Sequence, residues 1–248
     1  MRFDRMRDLR SSDGHPVPAY LLEPDRPAGA IALAHSYGAA KEQMLGLAAR
    51  LAEAGFAACC LDLRGHGEHP APLGPGLLHD LEAAVGYCRR YGRVAALGHS
   101  LGGRLALMSS ADLLIAISPS IPKRPSEEGK AMLIAFGSTA VRTVDPAAIL
   151  PLLQALGPVP DSRRPKLLLV AEGDVPSLLE GVAEAAATLT EVERQVITRQ
   201  QHRAVPLPAT IGTYLPHWFN HTDLKTNPEV VELVQSWLER RWGPREGC

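Results

Sequence analysis

A serine with the surroundings of a nucleophile lies near the middle of the chain. An apolar run, Val94 to Leu97, leads into Gly98-His-Ser-Leu-Gly102, and residues with helical periodicity follow without a linker. A strand-to-helix turn of this kind strains the backbone of its serine and presents the hydroxyl above the sheet, and the flanking positions have room for almost no side chain. The pattern therefore predicts that Ser100 is a nucleophile for acyl transfer.

The acid and the base that such a serine needs are sought further along the chain, in the order serine, acid, histidine. Asp174 is the candidate acid because it comes just after a buried strand, and Glu172 is its nearby rival. Besides His217, two histidines downstream compete for the base. His202 follows the last predicted strand by a short loop, and His221 comes a few residues before the final predicted helix. From position alone, both remain open.

An oxyanion site must also be present, because acyl transfer builds negative charge on the carbonyl oxygen of the substrate. The loop that follows the first apolar strand offers the backbone amide of Tyr37. The amide of Leu101, directly after the nucleophile, is the natural second donor. His35 in the same loop is predicted to be a structural, hydrogen-bonded residue, as are His66 and His99, which lie beside glycines in tight turns.

Alternating strand and helix patterns from residue 30 onward must position these residues. Two opening strands, Phe3–Leu9 and Val17–Leu22, precede a series of short apolar runs at Ala30–His35, Phe56–Leu61, Val94–Leu97, Leu113–Ile117, Lys166–Ala171 and Val192–Ile197. Such alternation predicts a parallel sheet with right-handed crossovers and helices on both faces. The carboxyl ends of its strands would carry the working residues, and His35, Asp62 and Ser100 all follow such ends.

The alternation breaks between residues 119 and 164. Several prolines lead into an apolar stretch, Met132 to Phe136, and Asp145-Pro146 has the pattern of a helix start, with aspartate as N-cap and proline at the first helical position. We predict a small cap insertion at 119–164 within one domain that spans residues 1–248. An ordinary pair of packing helices is the alternative.

Composition limits the classes of function. At 248 residues, 46% hydrophobic and a formal charge of −1, the chain has enough apolar content for one large core and lacks the basic excess of a nucleic-acid or membrane-surface protein. The charged N-terminal stretch has no apolar signal region, and the four cysteines show no metal-like spacing. We therefore expect a cytoplasmic protein without nucleic-acid or membrane partners; a homo-oligomer is compatible with the sequence.

These segments together resemble the α/β-hydrolase superfamily over nearly the whole chain. Ala34-His-Ser-Tyr-Gly38 stands where that family usually has His-Gly-x-Gly, with Ser36 at a position where glycine is common. The other matching pieces are Asp62-x-Arg-Gly-His-Gly67, Gly98-His-Ser-Leu-Gly102 and Gly173-Asp-Val-Pro176. Asn220-His-x-Asp-Leu224 is similar to the base-bearing segment of acid-lipase-type and related esterases, so the resemblance favours His221. The long segment 199–220 before it keeps His202 as the alternative.

The resemblance implies an eight-stranded, mostly parallel sheet and a serine esterase or lipase-like activity without a metal or organic cofactor. The expected reaction is hydrolysis of small to medium carboxylic esters through an acyl-enzyme, with Ser100, Asp174 and His221 as catalytic residues and the Tyr37 and Leu101 amides as oxyanion donors. A peptidase or thioesterase of the same fold, with His202 as base, is one alternative. A binding module without turnover on the same scaffold is the other.

Overall fold

The structure, a computed structural model, describes residues 1–121, 126–198, 221 and 224–242. Eight strands in these ranges form one sheet. They are β1 Arg2–Met6, β2 Ala19–Glu23, β3 Ala30–Ala34, β4 Ala57–Leu61, β5 Val94–His99, β6 Leu113–Ile117, β7 Lys166–Ala171 and β8 Val192–Ile197. Their order across the sheet is β1-β2-β4-β3-β5-β6-β7-β8.

Only the opening strands are antiparallel. Strand β2 pairs antiparallel with β1 and with β4, whereas every other neighbouring pair is parallel. Strands β3 to β7 are buried along their whole length, as expected for continuous apolar runs in a sheet covered on both faces. The eight-stranded, mostly parallel sheet predicted from the sequence is confirmed.

Helices pack on both faces of the sheet. Those in the described part of the chain are α1 Leu45–Glu53, α2 Leu77–Cys88, α3 Leu101–Met108, α4 Glu127–Thr139, α5 Ile149–Ala155, α6 Pro176–Thr188 and α7 Pro228–Trp242. One core cluster includes Leu81 of α2, Leu105 of α3 and Val182 of α6. The cluster on the opposite face includes Leu51 of α1 and Val234 of α7. None of the described helices is both long and apolar enough to cross a membrane.

The register of the central strands aligns the segments that follow them. Ala34 at the end of β3 lies opposite Gly98 of β5, and His99 at the end of β5 lies opposite Ile117 at the end of β6. Since these strands are parallel, their carboxyl ends meet at one edge of the sheet. The loop after β3, the turn that bears the serine and the residues after β6 therefore begin side by side.

Helices α4 and α5 occupy the stretch between β6 and β7. The apolar run Met132 to Phe136 lies inside α4. The side chain of Asp145 accepts a hydrogen bond from the amide of Ala147 at 2.8 Å, so Asp145 caps a short 3₁₀ turn that continues into α5, as its pattern predicts. Ile149 at the start of α5 is fully buried in the same cluster as α3. The interpretation of 119–164 as a cap over the site stays a prediction.

The first strand is shorter than predicted. Its pairing with β2 ends at Met6, whereas the sequence pattern extends to Leu9. Beyond the strand the two chain segments still approach, because the amide of Val17 donates to the carbonyl of Leu9 at 2.8 Å. After two exposed residues, Arg7 and Asp8, the chain thus returns to the neighbouring segment at the buried Leu9.

Candidate active site

Ser100 lies in a strained turn between β5 and α3. Its backbone has φ 54° and ψ −109°, a conformation that residues other than glycine rarely adopt. The surrounding backbone fixes it: the Ser100 amide donates to the carbonyl of Ile117 at 2.9 Å, and its own carbonyl accepts from the amide of Ser120 at 2.9 Å. Strain of this kind costs of order 1–3 kcal/mol and persists only where the surroundings determine it.

The glycines two positions before and after the serine are required by space. A Cβ on Gly98 would lie 2.0 Å from the carbonyl oxygen of Gly102, and a Cβ on Gly102 would lie 2.3 Å from the carbonyl oxygen of Ala34. The first turn of α3 therefore packs directly on the ends of β5 and β3. This contact also brings Leu101, at the start of α3, alongside the loop that contains Tyr37.

Asp174 follows β7 and is fully buried. Its Oδ1 accepts a hydrogen bond from the amide of Val175 at 2.7 Å and faces Nδ1 of His221 at 3.1 Å. Its Oδ2 accepts from the hydroxyl of Ser118. A carboxylate with these donors holds the His221 proton on Nδ1, which leaves Nε2 with the lone pair that a base needs. Glu172, the rival acid, is exposed.

His221 is also held from the side of Ser100. The ring of His99, the residue directly before Ser100, lies 4.8 Å from the His221 ring between centroids, and its Nε2 is 2.7 Å from the His221 carbonyl oxygen. The structure thus brings Asp174 and His221 together beside the serine turn. The competing His202, like His217, lies outside the described residues.

The loop after β3 is fixed by buried polar contacts. His35 donates from Nδ1 to the carbonyl of Ser36 at 2.8 Å and accepts at Nε2 from the amide of Leu63 at 3.1 Å, so it joins the loops after β3 and β4. Burial lowers the pKa of His35 to about 4, and the ring is neutral at pH 7. This geometry agrees with the structural role predicted for His35.

An ion-pair cluster built on the buried side chains of Lys41 and Asp62 joins the same two loops. Nζ of Lys41 is 2.7 Å from Oδ2 of Asp62 and 3.0 Å from Oε2 of Glu68, and the Lys41 amide donates to Oδ1 of Asp62 at 2.9 Å. Burial alone would lower the pKa of Lys41, but hydrogen bonds to these carboxylates outweigh it and raise the pKa. Asp62 therefore anchors the segment that carries Tyr37 rather than taking part in the constellation of Ser100.

Tyr37 has a side chain that the sequence analysis does not use. Burial raises the pKa of its phenol to about 12, and its hydroxyl has no hydrogen-bond partner among the described residues. A Cβ on Gly137 of α4 would lie 2.9 Å from that hydroxyl, so α4 passes close to the Tyr37 hydroxyl. Helix α4 thus approaches the loop that carries the predicted oxyanion donor.

Comparison with known proteins decides the family. The model of the alpha/beta hydrolase family matches residues 42–247, which is most of the chain. The chain belongs to the alpha/beta hydrolase family. This membership places it among the hydrolases, in agreement with the resemblance drawn from the sequence motifs. No match was found among curated proteins.

Solved structures of this hydrolase fold superpose over nearly the full chain. An esterase from Thermogutta terrifontis is 16% identical with a TM-score of 0.64, covering 97% of this chain and 100% of that one. An esterase from Pyrobaculum calidifontis is 17% identical with a TM-score of 0.68, covering 97% and 86%. The 2,6-dihydroxy-pseudo-oxynicotine hydrolase is 16% identical with a TM-score of 0.72, covering 94% and 67%. At these identities the similarity establishes the fold.

Ser118 is the site residue that sequence reasoning missed in this hydrolase. It directly follows β6, where the register places it near Ser100, and its φ of 43° turns the chain toward Asp174. A polar residue immediately after a buried apolar strand is a signal that could have pointed to it. The described residues contain no cluster of three or more histidine, cysteine or acidic side chains that could hold a metal ion.

Proposed function

We propose that this protein is a serine hydrolase of the carboxylesterase kind, which cleaves small to medium carboxylic esters through an acyl-enzyme. The observation that carries the proposal is the contact of His221 Nδ1 with the buried Asp174 carboxylate at 3.1 Å, beside the strained turn that bears Ser100. The fold relatives described as esterases support an ester as the substrate.

The first half of the proposed reaction acylates the serine. His221 Nε2 takes the proton of the Ser100 hydroxyl while the serine oxygen bonds to the acyl carbon, and the carbonyl electron pair moves onto oxygen. The amides of Tyr37 and Leu101 stabilise that oxyanion. When the tetrahedral intermediate collapses, the bond to the leaving alcohol breaks and His221 returns its proton to the alcohol oxygen.

Water completes the cycle by the same route. His221 removes a proton from water as the water oxygen attacks the acyl carbon, and the acid leaves as the proton returns to Ser100. The Asp174 carboxylate stabilises the imidazolium that forms in each half-reaction. Its burial and its hydrogen bonds from Val175 and Ser118 support this orienting role.

The predicted cap bears on the size of the substrate. Helix α4 passes close to the Tyr37 hydroxyl, and α5 buries Ile149 and Leu153 against the core that includes α3. Short helices that pack so near the loop of Tyr37 support an enclosed site for a small or medium acyl group over a site for a folded protein. A peptidase or thioesterase would use the same chemistry, and a substrate panel separates these activities.

The cysteines support the expected cytoplasmic location. In the described ranges, Cys59, Cys60 and Cys88 are buried and form no disulfide. Unpaired thiols are typical of a reducing compartment. Fractionation of the source cells tests this part of the proposal: the protein is expected with the cytoplasmic enzymes, and recovery from an oxidising compartment would contradict it.

Kinetics on p-nitrophenyl esters of graded chain length test the activity and the choice of base. We expect the highest kcat/KM for short to medium acyl chains, and loss of activity to near background in Ser100→Ala. His221→Ala is expected to lower kcat by several orders of magnitude, whereas His202→Ala has little effect. The reverse order of the two histidine variants would assign the base to His202. Turnover of thioesters or peptides alone would exclude the carboxylesterase.

A further inference from the structure

A second histidine holds the backbone of the proposed base. Nε2 of His99 donates to the carbonyl oxygen of His221 at 2.7 Å, and the two rings lie 4.8 Å apart at an interplanar angle of 39°. His99 is fully buried, and within the described part of the chain its Nδ1 has no hydrogen-bond partner. The bond to the His221 carbonyl is therefore the contact that fixes the orientation of this ring.

The location of His221 in the chain explains why such a bond matters. In chain order it lies between β8, the edge strand of the sheet, and α7, whereas Ser100 follows the interior strand β5 and Asp174 comes three residues after the end of β7. Asp174 fixes the far end of the side chain at Nδ1, and His99 fixes the backbone at the carbonyl. A side chain held at both ends has its imidazole placed within a narrow range, which catalysis by a general base requires.

The protonation of His99 suits this role. Burial first, and the neighbouring His221 second, lower the pKa of His99 well below its usual value, so the ring is neutral at pH 7. A neutral ring whose Nε2 donates keeps its lone pair on Nδ1, away from the His221 carbonyl. The bond thus needs no charge on His99 and places no second cation beside the base.

We propose that His99 is a positioning residue for the reaction: it anchors the His221 backbone to the same strand end that carries Ser100. Because the two residues are adjacent on the chain, any shift of the strand end moves the nucleophile and the anchor of the base together. The inference rests on the proposed function, since it concerns how the proposed base is held and not whether ester hydrolysis occurs.

Three substitutions at this position separate the hydrogen bond from simple packing. His99→Gln places an amide N–H at about the reach of Nε2, whereas the shorter amide of His99→Asn corresponds to Nδ1. His99→Leu fills the space without any donor. His69→Leu is the matched control, because His69 is another fully buried histidine whose ring contacts the amide of Ala71 and, at 3.4 Å, the carboxylate of Asp80 rather than His221.

The kinetic readout is the separate effect on kcat and KM for a p-nitrophenyl ester. Displacement of a catalytic group by about 1 Å can lower a rate by roughly 100-fold, so we expect His99→Leu and His99→Asn to lower kcat by roughly 10- to 100-fold with KM changed less than about threefold. The kcat of His99→Gln is expected to be at least roughly tenfold higher than that of His99→Asn. His69→Leu is expected to keep kcat within about threefold of wild type.

The kinetic results distinguish failure of this inference from failure of the proposed function. If the wild-type protein hydrolyses no ester and Ser100 resists an active-site probe, the proposed function fails. If wild type is active and depends on His221, but the leucine, asparagine and glutamine variants share one kcat, His99 does not position the base and the inference alone is wrong. Circular dichroism reports whether His99→Leu folds. If it does not, the ratio of kcat in the glutamine variant to kcat in the asparagine variant decides: a ratio near one contradicts the inference, and a ratio of about ten or more supports it.

Discussion

The hydroxyl of Ser118 donates to Oδ2 of Asp174, on the side of the carboxylate opposite the His221 contact. Ser118 directly follows β6, and Asp174 lies in the turn after β7, so the bond joins the segments that follow two neighbouring strands. A buried carboxylate keeps its position and its charge only when hydrogen bonds replace the lost water. Ser118 therefore orients the group that orients the proposed base.

Ser118→Ala tests this relationship. Removal of one of the donors to a buried carboxylate is expected to lower the free energy of unfolding by about 1–3 kcal/mol and kcat/KM by roughly tenfold. The control is Ser109→Ala, because the hydroxyl of Ser109 is also buried but donates to the carbonyl of Ala106 at the end of α3. Both variants should lose stability by chemical denaturation, and only Ser118→Ala should lose activity. Equal activities would contradict the orienting role.

Glycine at position 98 is expected to be indispensable to the fold around the serine. Gly98→Ala forces a Cβ against backbone atoms of Gly102 and Gly103 at 2.0 to 2.5 Å, and backbone cannot give way as a flexible side chain can. The expected result is insoluble protein, or a loss of more than about 3 kcal/mol of stability together with the activity. The matched variant is Gly86→Ala in α2, where a Cβ meets no atom within 4 Å. It should raise stability by about 0.5–1 kcal/mol.

Removing one partner of the Lys41–Asp62 ion pair is expected to lower the stability of the fold. Lys41→Met leaves the fully buried Asp62 carboxylate without its cation, and we expect unfolding to become easier by about 3–5 kcal/mol. Activity should fall as well, since the pair anchors the segment that carries Tyr37. Arg50→Met removes an exposed partner of Glu53 and should leave the denaturant midpoint unchanged. A midpoint for Lys41→Met equal to that of Arg50→Met would contradict the anchoring role.

Acid is expected to destabilise the protein through its buried histidines. Burial lowers the pKa of His66 from 6.5 to about 3, so the folded chain keeps His66 neutral while the unfolded chain takes up a proton below pH 6.5. Stability contributed by the neutral ring is therefore present above pH 6.5 and declines as the pH falls toward 3. At pH 4 the loss from this residue alone amounts to roughly 3 kcal/mol.

His66→Asn isolates this effect, because an asparagine amide can keep the donor that His66 Nδ1 gives to the carbonyl of Arg64 while removing the titration. The measurement is the free energy of unfolding in urea at pH 7 and at pH 4. The decrease between the two pH values should be smaller in this variant than in wild type, by roughly 3 kcal/mol. His79→Gln at an exposed position is the control and should retain the wild-type difference. An unchanged difference in His66→Asn would show that His66 is not the group responsible.

The sheet and the turn that bears Ser100 can be predicted from short stretches of sequence, because the interactions that form them involve residues close together in the chain. The buried strands are continuous apolar runs, and the turn at Ser100 needs small residues at fixed offsets, which Gly98 and Gly102 supply. Asp174 is the predicted acid because it comes just after a buried strand and fits the order serine, acid, histidine, and the structure brings it to His221. The site roles themselves remain predictions.

The contacts of Ser118 and His99 could not be predicted from short stretches of sequence. Ser118 contacts a residue 56 positions away, and His99 contacts one 122 positions away, so both depend on the register of the sheet and on the course of the chain after β8. A histidine beside the predicted nucleophile looks the same in sequence whether it only fills space or holds another residue. The choice between His221 and His202 needed the resemblance to a family, because position after the last strand suits both.

Covalent labelling of Ser100 tests the central claim most directly. Intact and peptide mass spectra recorded after treatment with a fluorophosphonate should show one adduct per chain, located on Ser100, with loss of the fluoride. The adduct should be absent in Ser100→Ala and form far more slowly in His221→Ala than in wild type. A native protein that stays unlabelled, or that is labelled equally well without Ser100, would contradict the account and leave a hydrolase fold without serine catalysis.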